Sequence, residues 1–164
     1  MNSITISALK NFPDQLEEYF NAFAENKRHW SPESWEGIPS ESLNAIEQIC
    51  HVRDVEIDGY HIRFNRMLTE SEPSLDSLDG YALVKENNYA QANPKEVFKE
   101  FRAARVETLK LIESLDEAQL KRAGFFEGYG RLTVTGLVHY LCSHDQQHLS
   151  GLQWLLGKIE SSSN

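Results

Sequence analysis

Six histidines stand in an acidic chain of 164 residues, and two of them, His144 and His148, are four residues apart. Four residues advance an α-helix by about 400°, so the two imidazoles lie within about 40° of each other and about 6 Å apart along the axis. Both interrupt an apolar seam of Val134, Leu137, Leu141, Leu152 and Leu155, which points them into the interior. An inward pair at this spacing can hold one metal ion, as in helix-borne zinc sites, if a third ligand comes from elsewhere. The competing reading is a pair of neutral core histidines, each satisfied by a carbonyl or carboxylate. His139 lies about 180° from His148 and belongs to the surface. His51 and His61 are separated by about 80° and 15 Å on one helix, so at most one of them can serve the same site. His51 shares an apolar edge with Val55 and Ile62, whereas His29 sits in a Trp-containing loop and needs no ligand role.

Acidic groups accompany these histidines. Asp145 lies about 60° from His148 and Asp54 one turn beyond His51, so either can orient a ligand imidazole through its free N–H. Asp145 and Glu56 are the candidate general bases, if they reach a nucleophile bound at the ion; otherwise all three are solvated helix charges. Cys50 is rotated about 100° from His51 and Cys142 about 200° from His144, so both read as buried thiols rather than ligands. There is no CxxC spacing. Arg53, Arg63 and Arg66 form a basic cluster with the charge to receive a carboxylate-bearing thiol, but pairing with neighbouring Asp and Glu is the expectation.

Four amphipathic segments would have to position these groups. The first is expected from Pro13 to about Lys27, on Leu16, Tyr19, Phe20 and Phe23. A loop, HWSPESWEGIPS, should lay its indoles on the core. A long second helix is expected from Ser40, as N-cap, to about Glu70, followed by a connector with at most one short helix. Asn93 and Pro94 open a third helix carrying Val97, Phe101, Ala104, Thr108, Leu111 and Leu115, and Thr133 opens a fourth that ends near Gly157. With no strand of comparable strength, the fold expected is all-α, a four-helix bundle with a long crossover connection. One domain over residues 1–160 and a polar tail at 161–164 are expected. A formal net charge of -9 disfavours nucleic acid and anionic lipid as partners. No segment suits a membrane span or a signal peptide, which makes a cytoplasmic protein the expectation. A homodimer is expected, as for many bundles of this size.

The run CHVRDVEIDGYHIRF places an HxxDxE pattern at His51, Asp54 and Glu56, and the last helix carries HDxxHL at His144, Asp145, His148 and Leu149. In these motifs, in their spacing and over nearly its whole length the chain resembles the DinB-like superfamily of four-helix metalloenzymes, which includes YfiT-like proteins. Leu120 and Lys121 stand where related sequences often carry a Trp. The resemblance implies one divalent metal ion, nickel or zinc, held by His51, His144 and His148. Three imidazoles leave coordination positions open, the mark of a catalytic rather than a structural site. Relatives include thiol-dependent S-transferases and predicted hydrolases. The function expected is therefore a metal-dependent thiol S-transferase or hydrolase acting on a small electrophilic molecule, with a low-molecular-weight thiol as co-substrate of the transferase. The alternative is a non-catalytic metal- or ligand-binding stress-response protein.

Overall fold

Asn2 accepts a hydrogen bond from the Ile4 N–H at 3.0 Å, and this cap starts helix α1 (Ser3–Asn21) well before Pro13. Pro13 is buried inside the helix rather than in its first turn. A helical proline leaves the carbonyl four residues back without its donor. Here that carbonyl, on Leu9, accepts from Arg105 Nη1 at 3.0 Å, so a long-range side chain replaces the missing backbone bond. The helix also stops earlier than its periodicity suggests, and a 3-10 turn at Glu25–Lys27 follows.

The computed structural model describes residues 2–162 and is built on four helical bodies. The second is continuous but not uniform: α2 (Ala45–Asp54), a π-helical segment (Val55–His61) and α3 (Ile62–Thr69). Its cap is Asn44, in a reciprocal capping box with Glu47, not Ser40. The third body, α5 (Pro94–Ser114), starts on the Asn93 cap with Pro94 at N1, as the sequence suggested. The fourth, α7 (Val134–Ser162), passes through Gly157. Ser161 and Ser162 of the expected tail are helical, and the remaining two residues lie outside the described part. In the bundle, α1 packs against α5 and α7, and α2 packs against the same two helices.

Beside the helices lies a small sheet that the sequence pattern did not indicate, ordered β1 (Ser74–Leu75), β2 (Ala123–Phe126), β3 (Gly130–Thr133). β1 runs parallel to β2, and β2 pairs antiparallel with β3. These strands are too short to leave a period in the sequence. Their hairpin turns on Gly128 and Gly130, both near φ +80°, a backbone region favouring glycine. The long connector holds α4 (Gly80–Glu86) and a 3-10 turn (Tyr89–Gln91), and α6 (Glu117–Leu120) precedes the sheet.

Two apolar clusters fill the bundle. One gathers Phe12, Leu16, Ile46, Ile49, Phe98, Phe101, Leu152 and Leu155. The other gathers Leu9, Val55, Phe64, Met67, Ile112, Leu137 and Leu141. Along α2, the π segment, α5 and α7 the residues between the two sets are polar and buried: His51, Asp54, Glu56, Arg105, Thr108, Asp145 and His148. The chemistry lies in this layer.

Candidate metal centre

On α7, His144 and His148 face one direction as their spacing requires, and α2 brings His51 opposite them. His144 Nε2 is 3.3 Å from His51 Nε2 and 3.1 Å from His148 Nε2. The three nitrogens lie within 4.8 Å of one another, as a shared ion needs. Their environment keeps the rings neutral. Burial lowers the proton affinity of all three, and the neighbouring histidines push His144 and His148 further down. A neutral imidazole is the ligand form.

The tautomer of His148 is set from α2. Gln48 Nε2 donates to Ser40 Oγ at 2.8 Å and to the Leu43 carbonyl at 3.2 Å, so its Oε1 must be the atom facing His148. His148 Nδ1–H donates to that oxygen, leaving Nε2 with its lone pair towards the cluster. Nδ1 of His51 is buried and has no hydrogen-bond partner among the described residues. The first turn of α4 closes over this ring at Gly80, where a Cβ would come within 2.8 Å of His51 Cε1. Only a residue without a side chain fits there.

Glu41, just upstream of α2, completes the rim. Its Oε2 is 3.3 Å from His148 Nε2 and its Oε1 3.8 Å from His51 Nε2, and the side chain is 37% exposed. Beside the histidines an open cavity of about 130 Å³ is lined by Glu41, His51, His144, Tyr60, Arg63 and Tyr129, among others.

Behind the histidines lies a buried ion triad. Arg105 Nη1 and Nη2 donate to Asp145 at 2.7 and 3.0 Å, and its Nε and Nη2 donate to Glu56 at 2.9 and 3.0 Å. Thr108 Oγ donates to Glu56 Oε1 at 2.6 Å and accepts from His61 Nε2–H at 2.9 Å. The two carboxylates hold Arg105 firmly protonated, while burial pushes Asp145 up to about 7 against the pull of the guanidinium.

A family model described as the DinB superfamily matches residues 8–151. The chain belongs to the DinB superfamily. Among solved structures it is similar to YfiT from Bacillus subtilis, described as a probable metal-dependent hydrolase with an unusual four-helix bundle topology. The TM-score is 0.82 at 16% identity, over 98% of this chain and 90% of that one. The likeness establishes the four-helix bundle fold. No curated protein matches the sequence.

In this DinB-superfamily bundle, then, the three histidines singled out by sequence come together, while the acidic residues do something else. Asp145 and Glu56, the candidate bases, are both engaged by Arg105, which bonds oxygens of each. Asp54 does not orient His51; its oxygens accept from Arg53 Nε, Asn87 Nδ2 and the Tyr89 hydroxyl, which ties the connector to α2. His139 and His29 are exposed, and His61 is spent on α5. Cys50 is fully buried, with its thiol pushed up to about 12 by desolvation, and burial also raises Cys142.

Sequence reading missed Glu41, Gln48, Gly80 and Arg105. Gln48 and Arg105 did leave a signal: Gln48 is one turn before His51 on the same face, and Arg105 sits beside the seam residues Phe101 and Thr108. A polar residue at a core position asks for a partner. Replacing Gln48 with Ala frees the His148 ring to rotate and to change tautomer, and the loss expected is about 10- to 100-fold in metal affinity. Competition against a chromogenic chelator measures it; unchanged affinity would remove Gln48 from the site.

Proposed function

We propose that this protein is a metal-dependent hydrolase or thiol S-transferase acting on a small electrophilic molecule, with His51, His144 and His148 as ligands of one nickel or zinc ion. The observation that carries this reading is the convergence of three neutral imidazole nitrogens beside an open pocket. A divalent ion held there supplies Lewis acidity to a water, thiol or carbonyl group at its open positions.

The chain's own groups supply the remainder. Gln48 holds His148 in the ligating tautomer. Glu41 is, among the described residues, the one carboxylate within ion-pair distance of the histidine Nε2 atoms, and no cation neutralises it. It is placed to take a proton from the incoming nucleophile and return it to the leaving group. Arg105 leaves it this role by engaging Asp145 and Glu56. The thiol of a transfer reaction must arrive with a co-substrate, because Cys50 is buried and protonated. A small-molecule substrate, a cytoplasmic setting and a homodimer belong to the same proposal.

The test is turnover of an activated ester and, separately, of an electrophilic arene with added cysteine, by nickel- or zinc-loaded protein. Chelation should abolish the rate. Glu41→Gln should lower kcat about 10²- to 10⁴-fold with metal content unchanged. Full metal loading with no turnover of either probe class would favour the non-catalytic metal-binding reading.

A further inference from the structure

Of the three arginines near α2 and α3, two are neutralised. Arg53 pairs with Asp54 at 2.7 Å and Glu100 at 3.0 Å. Arg66 grips Glu70 with two hydrogen bonds, at 2.8 and 3.0 Å. Arg63 is different. It is 5% exposed, and no carboxylate lies within ion-pair distance of it among the described residues. Its Nε and Nη2 both donate to the backbone carbonyl of Asp76, at 3.1 and 2.8 Å, while the Asp76 carboxylate turns out to solvent towards Arg66.

The guanidinium lies over the rings of Phe126, at 4.6 Å, and Tyr60, at 5.1 Å. Aromatic faces offset part of the desolvation of a cation but carry no counter-charge. A buried charge without a counter-ion is costly. Arg63 nevertheless lines the same pocket as His51 and His144, and two features of the chain put it there. In an uninterrupted α-helix Arg63 would stand about 120° from His51. The wider turns of the seven-residue π segment, each taking roughly one residue more, withdraw about that much phase and return Arg63 to the face of His51. Gly59 then leaves room for the side chain to lie flat, since a Cβ there would come within 2.7 Å of Arg63 Nη1.

We propose that Arg63 is the anion-recognition residue of this pocket, so that the substrate or co-substrate carries a carboxylate beside the group that meets the three histidines. The free edge of the guanidinium offers donors in the fork that a carboxylate fits. The pocket is small enough that a short acid fills it and the rest of the ligand projects outward. This assignment names the substrate class for the site proposed above and rests on that reading for the reacting group, but the anion site itself does not need the ion.

Titration calorimetry with 3-mercaptopropionate, its neutral amide and inorganic phosphate tests this, on wild-type and Arg63→Gln protein, each with nickel supplied and with nickel chelated. Wild type should bind the carboxylate at least about 10-fold more tightly than the amide, as a charge-assisted hydrogen bond implies, both with and without nickel. Arg63→Gln should lose the preference. Gly59→Ala, which displaces the guanidinium and keeps its charge, should lose it too, and stands in if Arg63→Gln does not fold. Equal affinity for carboxylate and amide, or a preference that survives in both variants, overturns the proposal. Tighter binding of phosphate than of the carboxylate overturns the carboxylate assignment in favour of phosphorylated ligands. A carboxylate preference that persists while fully metal-loaded protein turns over neither probe class would sink the enzyme reading and leave the anion site standing.

Discussion

Replacing His144 and His148 together with Ala should abolish nickel and zinc binding, whereas the wild-type chain should take up about one ion. At a free metal concentration about 1,000 times Kd, the wild type gains roughly 4 kcal/mol of stability from the ion and the variant gains none. Elemental analysis and urea unfolding with and without metal measure both. Wild-type protein that binds neither ion when supplied with it would end the metal-centre reading.

The same histidines govern the metal-free protein. Their proton affinities are lowered on folding, so below the ordinary histidine value of 6.5 the unfolded chain binds more protons than the folded one. Their contribution is present above that pH and is lost as pH falls, at up to about 1.4 kcal/mol per pH unit for each group. Asp145 works in the opposite sense. Raised from 3.8 to about 7, it takes up a proton on folding between those values, so its contribution shrinks as pH rises through the same window. Three imidazoles outweigh one carboxyl, and metal-free wild type should lose stability between pH 6.5 and pH 5. The histidine double variant should lose less. Urea midpoints that rise on acidification would contradict this balance.

Arg105→Met is the second large effect. It leaves Glu56 and Asp145 facing each other without a cation in a region 1% exposed, and returns the Leu9 carbonyl to its unpartnered state. Removing one partner of a buried ion pair costs about 3–5 kcal/mol. The loss should be largest at pH 7 and shrink at pH 5, where the stranded carboxyls take up protons. Replacing Arg105, Glu56 and Asp145 together with apolar residues of similar volume should recover much of it. Chemical denaturation of single and triple variants at both pH values separates these outcomes. A loss under about 1 kcal/mol for Arg105→Met would show that the triad does not act as a charged unit.

Much of the bundle was legible because a helix writes its buried face into local spacing. The α5 seam, its Asn93–Pro94 start and the inward pair His144 and His148 all follow from a 3.6-residue period within one segment. The boundaries misread, Pro13 and Ser40, are positions where a distant partner overrides local preference. Arg105 takes the carbonyl freed by Pro13, and Ser40 serves Gln48 while Asn44 caps α2. The sheet escaped notice because strands of two to four residues carry no period long enough to detect.

The candidate metal ligands could be named from motif and family resemblance, since each motif lies within one continuous helical body. What surrounds them could not. Helix angle places Asp145 near His148 in one dimension, but carboxylates go to the nearest buried cation, and Arg105 reaches both Asp145 and Glu56 from another helix. The π segment breaks the 100° rule between His51 and Arg63 and moves a cation into the pocket that no helical wheel would place there. Thus the sequence determines four helices, their inward faces and the three candidate ligands, because those properties are set by neighbours along the chain. Only the tertiary structure decides the histidine tautomer, the free carboxylate and the unneutralised arginine, because hydrogen bonds and counter-ions are chosen by proximity in space.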